Sequence, residues 1–196
     1  MAEKLVVIIR TTKAVDVLPI IDALVTANVG TVEVTSNTPN FEDKIEKARA
    51  TYPDTLIGAG TIISVELAEK AIGAGAQFLV TPSVEPEVGR YAHDRDIPVL
   101  MGALTPTEIS AALKSNADIV KLFPADIMGI DYLKAIMGPF DDVPIFAVGG
   151  IAIESAKAWI DAGAKGLGLG GNLTRLDGTS TAPIQENARK LLKLLT

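Results

Sequence analysis

The chain has 196 residues, enough for one domain that buries about 70% of the surface its unfolded form would expose. Its 18 basic and 24 acidic residues give a formal charge of −6, and without a basic cluster to track a phosphate backbone nucleic acid is not an expected partner. Zero cysteines exclude disulfides, thiolate nucleophiles and sulfur-ligated metals, and the single histidine, His93, lies in a polar helical stretch as a surface residue, which removes histidine-dependent triads.

From the N-terminus, Met1-Ala2-Glu3-Lys4 leads directly into an apolar run, without the basic segment, long apolar region and cleavage site of a secretory signal. A cytoplasmic location is the expectation. No later stretch approaches the roughly 18 uninterrupted apolar residues of a membrane span, so no membrane partner is expected. Strands are predicted at Leu5–Arg10, Thr31–Thr35, Leu56–Thr61, Gln77–Thr81, Pro98–Gly102, Ile119–Phe123, Pro144–Val148 and Lys165–Leu169. Each is too apolar on both faces for a half-solvated antiparallel strand. Each is followed by helical spacing, in units of roughly 24 residues, the pattern of βα repeats on a parallel sheet.

Ser64 and Thr105 read as helix N-caps, the latter with Pro106 and Glu108 in the first turn. Gly30, Gly73, Gly75 and Gly163 are expected to close helix ends in the left-handed conformation. Eight evenly spaced units without a linker predict an α/β fold, a single-domain (β/α)8 TIM barrel spanning residues 1–196, with a doubly wound open sheet as the alternative.

In such barrels the site lies at the carboxyl ends of the strands. There Lys121 interrupts Ile119-Val120-Lys121-Leu122-Phe123, and Glu33 interrupts Val32-Glu33-Val34. A buried ammonium is pushed toward its neutral, nucleophilic form. The catalytic reading makes Lys121 the group that attacks a ketone to form an iminium, an electron sink needing neither metal nor cofactor, and Glu33 the group that moves protons. A lysine head reaching solvent, or a buried Lys121–Glu33 ion pair, is the structural alternative. Arg10 suits a carboxylate, with Thr61 offering a hydroxyl to the same group, so a small-molecule 2-oxo acid is the expected substrate. Thr35 and Thr81 are weaker candidates for substrate contact. The runs around Gly149-Gly150 and Gly170-Gly171-Asn172 follow the last two strands, where barrels of this kind commonly bind phosphate.

Taken in order, Ile9-Arg10, Val32-Glu33-Val34-Thr35, Ile57-Gly58-Ala59-Gly60-Thr61, Gly75-Ala76-Gln77-Phe78, Thr105-Pro106-Thr107-Glu108, Val120-Lys121-Leu122-Phe123-Pro124-Ala125, Gly138-Pro139-Phe140 and Gly149-Gly150-Ile151 resemble the class I 2-keto-3-deoxy-6-phosphogluconate and 4-hydroxy-2-oxoglutarate aldolase family. The resemblance implies a homotrimeric barrel that reversibly cleaves 2-keto-3-deoxy-6-phosphogluconate to pyruvate and glyceraldehyde 3-phosphate. It further implies that Lys121 is the Schiff-base lysine, Glu33 the proton shuttle, Arg10 and Thr61 the pyruvate carboxylate clamp, and Phe123 a wall beside the pyruvate methyl group. The chain departs from the family pattern at Val148 and Asn172, where hydroxyl-bearing residues are usual, at Asn37, where some members carry arginine, and at Met101, which stands for a proline. Those departures keep 4-hydroxy-2-oxoglutarate and 2-keto-3-deoxy-6-phosphogalactonate open as substrates. A phosphosugar isomerase or epimerase, and a non-catalytic barrel, are the more distant alternatives.

Overall fold

The structure is a computed structural model that describes residues 4–176, 178 and 180–195. Short apolar runs rich in β-branched residues form parallel strands that alternate with helices: β1 (Leu5–Ile9), α1 (Val17–Thr26), β2 (Thr31–Thr35), α2 (Phe41–Thr51), β3 (Leu56–Gly60), α3 (Val65–Gly73), β4 (Leu79–Val80), α4 (Pro86–His93), β5 (Val99–Ala103) and α5 (Pro106–Lys114). The second half continues with β6 (Ile119–Leu122), α6 (Ala125–Met128), α7 (Ile130–Met137), β7 (Ile145–Val148), α8 (Ala156–Asp161), β8 (Gly166–Leu169), α9 (Gly171–Thr174) and α10 (Ala182–Leu195). The strands close in chain order, β1 pairing with both β2 and β8, into the expected (β/α)8 barrel. The open-sheet alternative is thereby removed.

Alternation along each strand divides the apolar residues into two layers. One set, including Val32, Val34, Val120 and Leu122, joins the helices in the larger core. The other, including Val6, Phe78, Val80, Leu100, Ile119, Phe146 and Val148, forms a separate cluster that fills the lumen. Rings fit there because neighbouring strands carry glycine: a Cβ at Gly58 would overlap Phe78, and one at Gly166 would overlap Phe146. Truncating Phe146 to alanine would remove the lumen's filling, at a cost of about 3–5 kcal/mol.

Helix ends explain the register. Ser64 Oγ accepts the Leu67 N–H at 3.3 Å, and Thr105 forms a reciprocal capping box with Glu108. At five helix-to-strand turns the same pair of backbone bonds recurs, for example Ala76 N to Ala71 O at 3.0 Å with Gly75 N to Ile72 O at 2.9 Å. The left-handed residues in those turns are Asn28, Gly75, Asp96, Asn116 and Gly163. Gly75 and Gly163 therefore act as expected, whereas Gly30 and Gly73 do not. Asn28 takes the place assigned to Gly30, its short polar side chain tolerating φ 68, and Gly73 sits inside the last turn of α3.

Strand β4 is shorter than its sequence suggests. The Gln77 carboxamide accepts the Ile57 N–H at 3.0 Å, and the Thr81 hydroxyl accepts the Gly102 N–H at 3.1 Å. Side chains thus complete the edges of a two-residue ladder. No helix among the described residues is long and apolar enough to cross a membrane.

Candidate active site

The carboxyl ends of the strands surround a cavity of about 780 Å³. Lys121 from β6 and Glu33 from β2 both line it, although only 6% and 2% of their surfaces are exposed. They stand four strands apart in an eight-stranded ring, on opposing walls. A Cβ at Gly60 would overlap the Glu33 carboxylate, so this glycine on β3 makes the room in which the acid lies. The Lys121 amine sits 4.9 Å from the centre of the Phe123 ring, two residues along the same strand direction.

Burial governs the charge state of both groups. Loss of solvent holds the Lys121 amine below its ordinary range, against the opposing pull of the Glu33 carboxylate and with a smaller push from Arg10. Loss of solvent likewise raises Glu33 above the usual carboxylate range, against Lys121 and Arg10. Burial shifts the amine and the acid alike toward their neutral forms. Such a pair can deliver a nucleophile and a proton to one substrate.

Arg10 emerges at the end of β1, and its guanidinium donates to Thr61 Oγ1 at 3.2 Å. Thr61 holds φ 60, a left-handed conformation that a β-branched residue adopts only under constraint, and such strain concentrates at functional sites. Ser36 Oγ donates to the Thr61 carbonyl at 2.8 Å and so helps to hold the turn. No sequence motif marks Ser36. Its link to Thr61 spans 25 residues and lies outside any local motif.

Thr35 and Thr81, like Thr61, are not among the residues that line the cavity, and the hydroxyls of the first two have partners of their own. Thr35 Oγ1 donates to the Ile9 carbonyl at 3.3 Å and lies 3.1 Å from Thr38 Oγ1. Thr81 Oγ1 donates to the Ser83 carbonyl at 2.6 Å while accepting from Gly102 N. Both hydroxyls are committed to tying strand ends together.

Beside β1 the rim carries two glycine turns, after β7 and β8. Gly149 and Gly150 have φ 98 and 83, where any other residue is strained, and a Cβ at Gly149 would press on the Phe123 ring. Gly170, Gly171 and Asn172, in the neighbouring turn after β8, line the same cavity. The Asn172 carboxamide nitrogen donates to the carbonyls of Gly150 at 3.0 Å and Ile151 at 3.1 Å. Lys13, Asp16 and Arg175 also line the mouth and were missed, because nothing in their own neighbourhoods marks them. Among the described residues no three His, Asp or Glu side chains stand together as a metal-ligand set. His93 lies away from this rim, its Nε2 2.9 Å from Asp118 Oδ2.

Comparison with known proteins agrees with this geometry. Residues 1–185 match the family model for KDPG and KHG aldolases. The 2-dehydro-3-deoxy-6-phosphogalactonate aldolase of Escherichia coli is 36% identical over 173 residues, spanning 87% of this chain and 84% of the relative. The 2-dehydro-3-deoxy-phosphogluconate aldolase of Haemophilus influenzae is 33% identical over 158 residues, spanning 80% of this chain and 74% of the relative. Among solved structures, the KDPG aldolase of Legionella pneumophila with pyruvate captured as a covalent carbinolamine superposes with a TM-score of 0.83 at 28% identity, over 98% of this chain and 92% of that one. The chain belongs to the KDPG and KHG aldolase family, whose members are carbon–carbon lyases of the aldehyde-lyase class.

Proposed function

We propose that this aldolase cleaves a 2-keto-3-deoxy-6-phosphohexonate to pyruvate and glyceraldehyde 3-phosphate through an imine on Lys121. The observation that carries the reading is a lysine with 6% exposure whose amine opens onto the same cavity as a buried carboxyl group. The neutral amine adds to the C2 ketone, and protonated Glu33 supplies the proton with which the C2 oxygen leaves as water. The iminium so formed accepts the C3–C4 bonding electrons. The Glu33 carboxylate takes the C4 hydroxyl proton as the aldehyde departs, then returns a proton to C3 of the enamine. Hydrolysis of the pyruvate iminium regenerates the amine.

Arg10 and Thr61, joined at 3.2 Å, are proposed to receive the pyruvate carboxylate, and Phe123 to pack beside the methyl group. The glycine turns are proposed to hold the phosphate with backbone N–H groups. The gluconate epimer is the substrate that the sequence resemblance implies. The galactonate epimer is the reading we prefer, supported by the 36% identity to the Escherichia coli enzyme named for it. A homotrimer in the cytoplasm completes the proposal. Exposed Ile127 and Met128 on α6 are apolar surface that a neighbouring subunit would cover.

Cleavage of both phosphorylated epimers and of 4-hydroxy-2-oxoglutarate, measured side by side in the wild type and in Lys121→Met, tests this reading. Turnover lost in the variant, with the galactonate epimer fastest in the wild type, is the expected result. Pentose phosphate turnover that survives Lys121→Met would instead establish the isomerase alternative.

A further inference from the structure

Asn172 stands in the mouth of the cavity, where a carboxamide is ordinarily taken for a direct ligand of an anion. Its hydrogen bonds point elsewhere. Both contacts of Nδ2 are carbonyl oxygens, Gly150 O at 3.0 Å and Ile151 O at 3.1 Å, so the nitrogen must face them and its two hydrogens are committed. What remains of the carboxamide is an acceptor oxygen, which repels a phosphate. The side chain reaches across 21 and 22 positions of sequence, from the turn after β8 to the turn after β7.

The β7–β8 ladder ends at the Val148–Gly168 pair, and past it the Asn172 bonds are the hydrogen bonds that join the two turns among the described residues. Gly149 and Gly150 hold φ 98 and 83 without side chains to anchor them, although the Gly149 carbonyl accepts the Asp126 N–H at 3.0 Å. Among the described residues no backbone carbonyl outside the strands takes the N–H of Gly150 or Gly171. An anion held between such groups is bound only as well as their separation suits it, because misplacement weakens every contact at once.

We propose that Asn172 is a positioning residue: it ties the turn after β8 to the carbonyls of the turn after β7 and so sets the gap in which a substrate phosphate is held. The inference rests on the phosphate reading of the preceding section and gives that site its selectivity. It also accounts for the loss of family hydroxyls at this rim, since a cross-turn tie substitutes spacing for direct contact.

The readout is the ratio of kcat/KM for 2-keto-3-deoxy-6-phosphogalactonate to that for unphosphorylated 2-keto-3-deoxygalactonate, in the wild type, Asn172→Ala, Asn172→Ser and Asn172→Asp, with Tm as a check of folding. Asn172→Ala lowers the ratio roughly tenfold, the scale of one or two lost hydrogen bonds. Asn172→Ser, which keeps one donor, falls between, and Asn172→Asp falls furthest, because a carboxylate would face two carbonyl oxygens. If Asn172→Ala does not fold, the Asn172→Ser and Asn172→Asp ratios decide. A ratio within twofold of the wild type in the folded variants overturns the inference, whether or not they are slower on both substrates. A wild-type ratio near one removes the phosphate reading itself, and the inference with it; a high wild-type ratio that the variants retain defeats the inference alone.

Discussion

Glu33 and Lys121 enter one cavity from opposing strands of the ring, and burial favours the uncharged form of each. A pair retained for stability would sit in close ionic contact, yet among the described residues Lys121 and Glu33 form no salt bridge and act on each other only through the Coulomb field. The space between them is open to a substrate. Buried ionisable groups that do not complete each other's hydrogen bonding lower stability, and active sites commonly retain such groups.

Replacing both with neutral residues is therefore expected to stabilise the fold. The double variant Glu33→Gln/Lys121→Met gains about 1–4 kcal/mol in denaturant unfolding while losing all aldol cleavage. A double variant less stable than the wild type would return the pair to a structural role.

Glu33→Gln keeps the shape of the side chain and removes its proton transfer. Turnover is expected to fall by about 10²–10⁴. Pyruvate exchange of its methyl protons, followed by NMR, should fall in parallel, since both steps use the same acid. Retention of full exchange in the variant would assign the proton to another group.

The pH dependence of stability follows from the two directions. Lys121 is depressed on folding, so the unfolded chain binds more protons between the depressed value and the ordinary lysine range, and stability rises with pH across that window. Glu33 is raised, so the folded chain binds more protons from the ordinary carboxylate range up to the raised value, and stability falls with pH across that window. Lys121→Met should abolish the alkaline rise and Glu33→Gln the acidic fall, both read from urea midpoints across pH.

Thr61→Gly separates strain from function. Glycine accepts φ 60 without penalty but orders at greater entropic cost, so the unfolding free energy is expected to change by no more than about 1 kcal/mol. Loss of the hydroxyl that meets Arg10 should raise the KM for pyruvate in the condensation direction roughly tenfold. An unchanged KM would take Thr61 out of the carboxylate site.

Much of this was legible in the chain because charge inside an apolar strand is a local signal. Lys121 and Glu33 stand out against their own neighbours, and the eight-unit period places both at the same rim. Thr35 and Thr81 were not legible in the same way. Thr35 has the same parity as Glu33, and what commits its hydroxyl is the Ile9 carbonyl on another strand. Thr81 follows lumen-facing Val80, so alternation alone argued against it. Asn172 showed its polarity in sequence but not the direction of its amide, which depends on a turn more than 20 residues away.

Borohydride reduction in the presence of pyruvate, followed by peptide mass mapping, tests the central assignment most directly. The account predicts the mass of one reduced pyruvyl group on Lys121 and on no other lysine, with the label absent from Lys121→Met. An unmodified Lys121 under conditions that fully trap a known imine-forming aldolase would contradict it.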